Sequence, residues 1–252
     1  MSQPLHDPIK TQESSVSHVA DIVNYQAQRK DSSSFFSYGL KRRFNEIESE
    51  FLTWQRSVAA TQQSEIKVVD FGCGDSSMLD ALVESFPNAP ISGTGIDSFR
   101  GSMPESKYHQ QVKMLDCDLR QTPYAIQEQS IGFAIASAVL KHIPKYRPFL
   151  REVSRILMPG GRVVLLDPTP TVVRVGMLMQ YFDRRYTPFI WSARRISSIV
   201  RQENLDLKIV KAKKYWLAPN QKMYDLGLEN VVPSFLRNRI GLHQCVVLES
   251  TK

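Results

Sequence analysis

The chain has 252 residues, of which 42% are apolar, and a formal net charge of +7. That length suits one large α/β domain with an addition, and the apolar fraction is enough for a sizeable core, which argues against a disordered or fibrous chain. No run of about 18 apolar residues occurs, so no membrane-spanning helix is expected, and Met1 to Asp21 lack the apolar stretch of a signal peptide.

Residues 1–33 are polar, with a serine run at Ser32-Ser33-Ser34, and read as a loose tail able to order over a ligand. Phe44, Ile47, Phe51 and Trp54 then recur at helical spacing between charges. Ile66 to Asp70 reads as a short buried strand. A glycine-containing turn follows, then a helix from Ser77 with Met78, Leu79, Leu82, Val83 and Phe86 on one face. Ser77 with Asp80 three residues on resembles a capping box. Further strands are expected at Ile91 to Asp97, Val112 to Cys117, Ile131 to Ser137 and Arg162 to Asp167. A helix over Tyr146 to Leu157 is stopped by a Pro159-Gly160-Gly161 turn. Leu205 to Trp216 and Gln244 to Glu249 read as a closing antiparallel hairpin. Strands alternating with helices predict a doubly wound, mostly parallel seven-stranded sheet. Helices cover both faces, the last strand is antiparallel, and a helical extension precedes the sheet. The three cysteines, Cys73, Cys117 and Cys245, make a poor disulfide framework and a poor zinc site. They fit a reducing cytoplasm.

In doubly wound sheets, ligands bind at the carboxyl ends of the strands. The first strand ends in Asp70-Phe71-Gly72-Cys73-Gly74-Asp75. Gly72 and Gly74 allow backbone to approach a ligand closely, and the helix behind them offers free amides and partial positive charge. Asp97 ends the second strand, about 20 residues on, where a carboxylate can accept from ribose hydroxyls. Asp118, after the third strand, is a candidate partner for an adenine amino group. Together these describe a nucleoside site. A dinucleotide fingerprint would carry a third glycine where Ser77 stands, and no phosphate-binding P-loop motif occurs.

The Asp-led two-glycine loop after an apolar strand resembles the first motif of the class I S-adenosylmethionine-dependent methyltransferases. Gly95-Ile96-Asp97-Ser98, Cys117-Asp118-Leu119, Ser137 to Ile143 and Leu150 to Arg162 resemble that family's later segments in order, so the likeness spans about residues 66 to 168. It implies S-adenosylmethionine as cofactor and S-adenosylhomocysteine as product. It also implies that Asp70, Gly72 and Gly74 border the methionine part, Asp97 and Ser98 the ribose, Asp118 and Leu119 the adenine, and Ser137 the sulfonium. Two departures stand out. Ser76 replaces a frequent glycine, and Phe133 replaces a frequent acidic residue and reads as extra core. Cys73 reads as a small buried filler. Residues 1–60 are expected as a tail and lid-like extension and 61–252 as the cofactor-binding domain, with 168–200 as a substrate-facing insertion.

Methyl transfer from a sulfonium is an in-line displacement, so the protein chiefly aligns the acceptor. An O–H acceptor also needs a base, and His142 is the candidate. Residues 168–195 mix methionines, aromatics and arginines. Tyr181, Phe182, Tyr186 and Trp191, with Tyr38, are candidate walls of an acceptor pocket. The expected partner is a small, apolar or aromatic molecule, quinone- or lipid-like, with room for an anionic group. From Lys141 to Arg201 twelve Lys and Arg face Glu152, Asp167 and Asp183, a net charge of +9. Such an excess suits a cytoplasmic protein with peripheral contact at a membrane surface. Two alternatives stay open: a nucleic-acid methyltransferase and a non-catalytic cofactor-binding regulator. Neither an Asn/Asp-Pro-Pro-aromatic motif nor a Pro-Cys pair, which two classes of nucleic-acid methylation use, is present. No His/Asp cluster suggests a metal.

Overall fold

The computed structural model describes residues 33–58, 65–98, 103, 105–170, 191–215, 231, 233, 236 and 241–252. Seven strands form one sheet: β1 (Ile66–Phe71), β2 (Ile91–Asp97), β3 (Val112–Asp116), β4 (Ile131–Ser137), β5 (Leu157–Pro168), β6 (Leu207–Tyr215) and β7 (His243–Ser250). Their order is β3-β2-β1-β4-β5-β7-β6, and β7 runs antiparallel to both of its neighbours. The doubly wound class and the closing hairpin are as the sequence predicts. The hairpin is inserted with its second strand against β5, which leaves β6 at the edge.

Helices α1 (Ser33–Val58), α2 (Ser77–Ser85), α3 (Tyr146–Ile156) and α4 (Ala193–Gln202) cover the faces. Strand alternation divides the core in two. Val68, Phe133, Ile135, Val164, Leu166, Cys245 and Val247 meet α1 and α2 on one face. Val69, Ala134, Ala136, Val163, Leu165, Val246 and Leu248 meet α3 and α4 on the other. The helical stripe Ile47, Phe51, Trp54 is fully buried. Phe133 sits beneath it, edge-on to Phe51 with ring centroids 5.2 Å apart, so it is core as expected. Because α1 shares this core, a boundary near residue 60 separates no second core; the stretch before residue 33 lies outside the described residues.

A row of residues on α1 matches alternate residues of β6. Arg42 lies over the Tyr215 ring at 5.6 Å, Glu46 pairs with Lys213, and Glu50 pairs with Lys211. Four helical residues rise about 6 Å and two strand residues about 6.6 Å, so the two spacings coincide over two turns.

Two local expectations need correction. The Pro159-Gly160-Gly161 segment is an irregular opening of β5, where the pairing with β4 shifts between Ile131 and Phe133. Gly161 lies so close to β4 that a Cβ there would sit 2.8 Å from the Ile131 carbonyl oxygen, and the Gly160 carbonyl accepts the Trp54 indole N–H at 3.1 Å. There is also no capping box. The N-cap of α2 is Ser76, in the left-handed region at φ 66°, which puts Asp80 one position too far along to reach back to it as a box partner. Asp80 accepts instead from Ser76 Oγ at 3.1 Å, Ser106 Oγ at 2.5 Å and the Lys107 amide at 3.2 Å, tying the segment before β3 to α2.

Candidate active site

The loop after β1 hangs from the end of β2. The Gly72 and Cys73 amides both donate to the Ile96 carbonyl, at 2.7 and 3.2 Å. Gly72 and Gly74 take φ of 71° and 56°, which glycine adopts without a Cβ penalty. They differ in surroundings. A Cβ on Gly72 would overlap the Val139 side chain, whereas one on Gly74 would meet nothing within 4 Å. Gly72 thus packs the loop against the turn after β4, and Gly74 offers an open backbone to a ligand.

Asp97 locks this loop. Its Oδ2 accepts from the Gly74 amide at 2.9 Å and its Oδ1 from the Ser98 amide at 2.7 Å. Burial pushes the Asp97 carboxyl up, and these two hydrogen bonds oppose that rise. Asp70 is 2% exposed; burial, then the charge of Asp97, holds its carboxyl well above the usual carboxylate range. Two desolvated acids flanking a glycine loop would be relieved by a ligand that brings hydroxyl donors and positive charge. Cys73, between them, is buried, and burial with the Asp70 charge pushes its thiol up, so it is a filler and not a nucleophile.

Ser137 ends β4 with its Oγ buried and without a hydrogen-bond partner among the described residues. The next residue, Ala138, is left-handed at φ 60°; its amide donates to the Leu166 carbonyl at 2.6 Å and its carbonyl accepts from Lys141 Nζ at 2.8 Å. His142 closes a short 3-10 turn, Leu140–His142, partly buried, with its amide donating to the Val139 carbonyl at 2.8 Å. Open backbone at Gly74, an orphaned hydroxyl at Ser137, the buried Asp70 and the partly buried Asp97 fit a nucleoside carrying a charged amino-acid tail.

Asp118 is engaged by Arg120, whose Nε donates to Oδ1 at 2.8 Å and whose Nη2 donates to Oδ2 at 2.5 Å. Burial raises this carboxyl, but the Arg120 hydrogen bonds and charge outweigh burial and hold it below its usual range. Leu119 is core, and its carbonyl accepts the Tyr124 hydroxyl at 2.8 Å.

Trp191 does not line a pocket. It is 2% exposed, packed on the α3–α4 face, and its Nε1 donates to Asp167 Oδ2 at 3.0 Å. A buried indole with a buried carboxylate partner is a structural brace. Tyr181, Phe182, Tyr186 and the Tyr38 side chain lie outside the described residues. The basic stretch from Lys141 to Arg201 is partly matched by acids: Arg147 and Arg151 share Glu203, Arg155 pairs with Glu152, Arg162 with Glu249, and Lys141 with Asp167.

Sequence reading missed Tyr215 and His243. They stand opposite one another at the ends of β6 and β7, with ring centroids 5.7 Å apart. Tyr215 is 4% exposed, and neither its hydroxyl nor His243 Nδ1 has a hydrogen-bond partner among the described residues. Burial, then the charges of Arg43, Lys141 and Arg42, pushes the His243 imidazole down to about 3, so it is neutral at any physiological pH. The only signal in sequence was that each residue bounds a strand pattern at the carboxyl rim.

Comparison with known proteins agrees with this geometry. The ubiquinone/menaquinone biosynthesis C-methyltransferase of Desulfotalea psychrophila is 28% identical over 138 residues, 53% of this chain and 54% of that protein. The trans-aconitate 2-methyltransferase of an Azoarcus species is 31% identical over 128 residues, 50% of this chain and 47% of that one. The chain thus spans about half the length of the curated relatives it matches. Among solved structures, the plantazolicin methyltransferase BpumL, in complex with a monoazolic desmethylPZN analog and S-adenosylhomocysteine, shares the fold. Its TM-score is 0.59 at 14% identity, covering 96% of this chain and 98% of that one. The methyltransferase domain family matches residues 41–210, more than half of the sequence. The chain belongs to that family, with the class I fold whose cofactor is S-adenosylmethionine.

Proposed function

We propose that this protein transfers a methyl group from S-adenosylmethionine to a small, apolar or aromatic acceptor. The observation that carries the proposal is the pair of acids, buried Asp70 and partly buried Asp97, on either side of an open Gly74 backbone. Bound there, the cofactor supplies a methyl group on a positively charged sulfur.

The chain's own residues bind and align. Asp70 holds the cationic amino-acid end, which relieves its desolvated carboxyl. Asp97 takes ribose hydroxyls; a carboxylate has about four lone-pair sites, so its two amide bonds leave room. The same capacity lets Asp118 take an adenine amino group beside Arg120, with Leu119 against the ring. Ser137 marks the methyl-donating side, and for an O–H acceptor His142 takes the proton. Relatives named for ubiquinone, menaquinone and trans-aconitate methylation support a small-molecule acceptor over a polymer.

Calorimetry with S-adenosylmethionine, S-adenosylhomocysteine and NADH tests the cofactor, and transfer of a labelled methyl group to a panel of quinols, aromatic acids and transfer RNA tests the acceptor. Binding of the two sulfur nucleosides with labelling of a small molecule is expected. Binding of NADH alone, or labelling of RNA alone, would overturn the proposal.

A further inference from the structure

On the sheet face beneath α1, three strand ends carry buried polar atoms with no hydrogen-bond partner among the described residues. They are Ser137 Oγ on β4, His243 Nδ1 on β7 and the Tyr215 hydroxyl on β6. Between them lies β5, whose Pro168 pairs with His243. Tyr215 and His243 therefore stand at the same rim as Ser137. Two strand spacings, about 10 Å, separate β4 from β7.

A buried hydroxyl or imidazole nitrogen without a partner costs about 1–3 kcal/mol, so such groups are uncommon unless a ligand completes them. Here the two lie side by side under cationic residues. Arg42, 6% exposed, reaches over the Tyr215 ring at 5.6 Å, and the charge of Arg43 acts on Tyr215, His243 and Asp167 alike. Lys141 also acts on His243, though it is paired with Asp167. Glu46, paired with Lys213, opposes the two arginines at Tyr215. Neutral hydrogen-bond donors in a buried positive field are the chemistry of oxyanion recognition.

We propose that Tyr215 and His243, beneath Arg42, form an anion-binding subsite that receives a carboxylate or phosphate group of the methyl acceptor. Its link to the acceptor rests on the methyltransferase reading above; its affinity for an anion does not. The subsite sets acceptor specificity. It holds the anionic end about two strands from Ser137, so the methylated atom belongs to a molecule roughly the length of a substituted aromatic acid.

The test uses the full chain saturated with S-adenosylhomocysteine, with ¹⁵N-labelled histidine and the His243 signal assigned through His243→Gln. Benzoate, inorganic phosphate and neutral benzamide are titrated in turn. A saturable shift of the His243 signal with benzoate or phosphate, absent with benzamide, is expected, and the stronger of the two identifies the group. Tyr215→Phe keeps the ring and should weaken that anion about tenfold, the scale for one charge-assisted hydrogen bond, with S-adenosylhomocysteine affinity unchanged. No saturable shift with either anion, an equal response to benzamide, or an unaltered affinity in Tyr215→Phe would overturn the subsite. Failure of nucleoside binding, measured separately by calorimetry, would overturn the methyltransferase reading instead. The anion titration is then repeated without nucleoside and judged by the same criteria.

Discussion

The Asp97 carboxylate accepts the Gly74 amide at 2.9 Å, joining the end of the second strand to a loop 23 residues earlier in the chain. One side chain thus shapes the glycine turn and is the residue proposed for the ribose. Replacing Asp97 with Ala is expected to weaken S-adenosylmethionine by about 1–3 kcal/mol, the scale for losing charged hydrogen bonds. Calorimetry checks this, and an unchanged dissociation constant would remove Asp97 from the ribose.

Asp70 gives a pH-dependent prediction. Its folded carboxyl titrates above the unfolded value, because burial and the Asp97 charge disfavour ionisation. The stability it contributes is therefore fully present below the unfolded value of about 3.9 and is lost as pH rises through the folded one. Asp70→Asn should make the ligand-free protein more stable near neutrality, with little gain in acid, while weakening S-adenosylmethionine. Urea unfolding at several pH values, alongside calorimetry, reads both effects.

Trp191 separates bracing from substrate contact. Trp191→Phe removes the indole hydrogen bond to the buried Asp167 carboxylate and should cost about 1–3 kcal/mol of stability. Cofactor affinity should stay level. A variant as stable as the parent but slower with acceptor would restore Trp191 as a pocket wall.

Phe133 underlies both Phe51 and Trp54, with ring centroids 5.2 and 5.8 Å away. Phe133→Ala is expected to lower stability by about 3–5 kcal/mol through a cavity beneath α1, measured as a fall in the urea midpoint with an unchanged slope.

Much of the arrangement of the candidate nucleoside site was legible because its residues sit at strand ends in one continuous stretch. Gly72, Gly74 and Asp97 are each fixed by local backbone needs, and their spacing shows in the sequence. Asp118 was legible as an acid, but its partner Arg120 was not singled out. The proposed acceptor side was less so. Tyr215 and His243 meet through the antiparallel pairing of β6 and β7, which the sequence predicts, but the register that sets them opposite one another depends on a shift between Ile209 and Lys211 that no local pattern encodes. Trp191 looked like a pocket aromatic because composition cannot tell which sheet face it joins. Asp80 looked like a cap because a helix start inferred one residue late makes N4 resemble N3.

The matched row along α1 and β6 also fixes where the helix can sit lengthwise. Sliding it by one turn in one direction sets Arg42 against Lys213. In the other direction the slide carries Glu46 to Tyr215, Glu50 to Lys213 and Trp54 to Lys211. Either slide exchanges an ion pair for repulsion or a mismatch, at positions where Glu46 and Glu50 are buried. The charges act as a vernier: three marks on the helix align with three on the strand at one setting, and that setting delivers Arg42 to the rim.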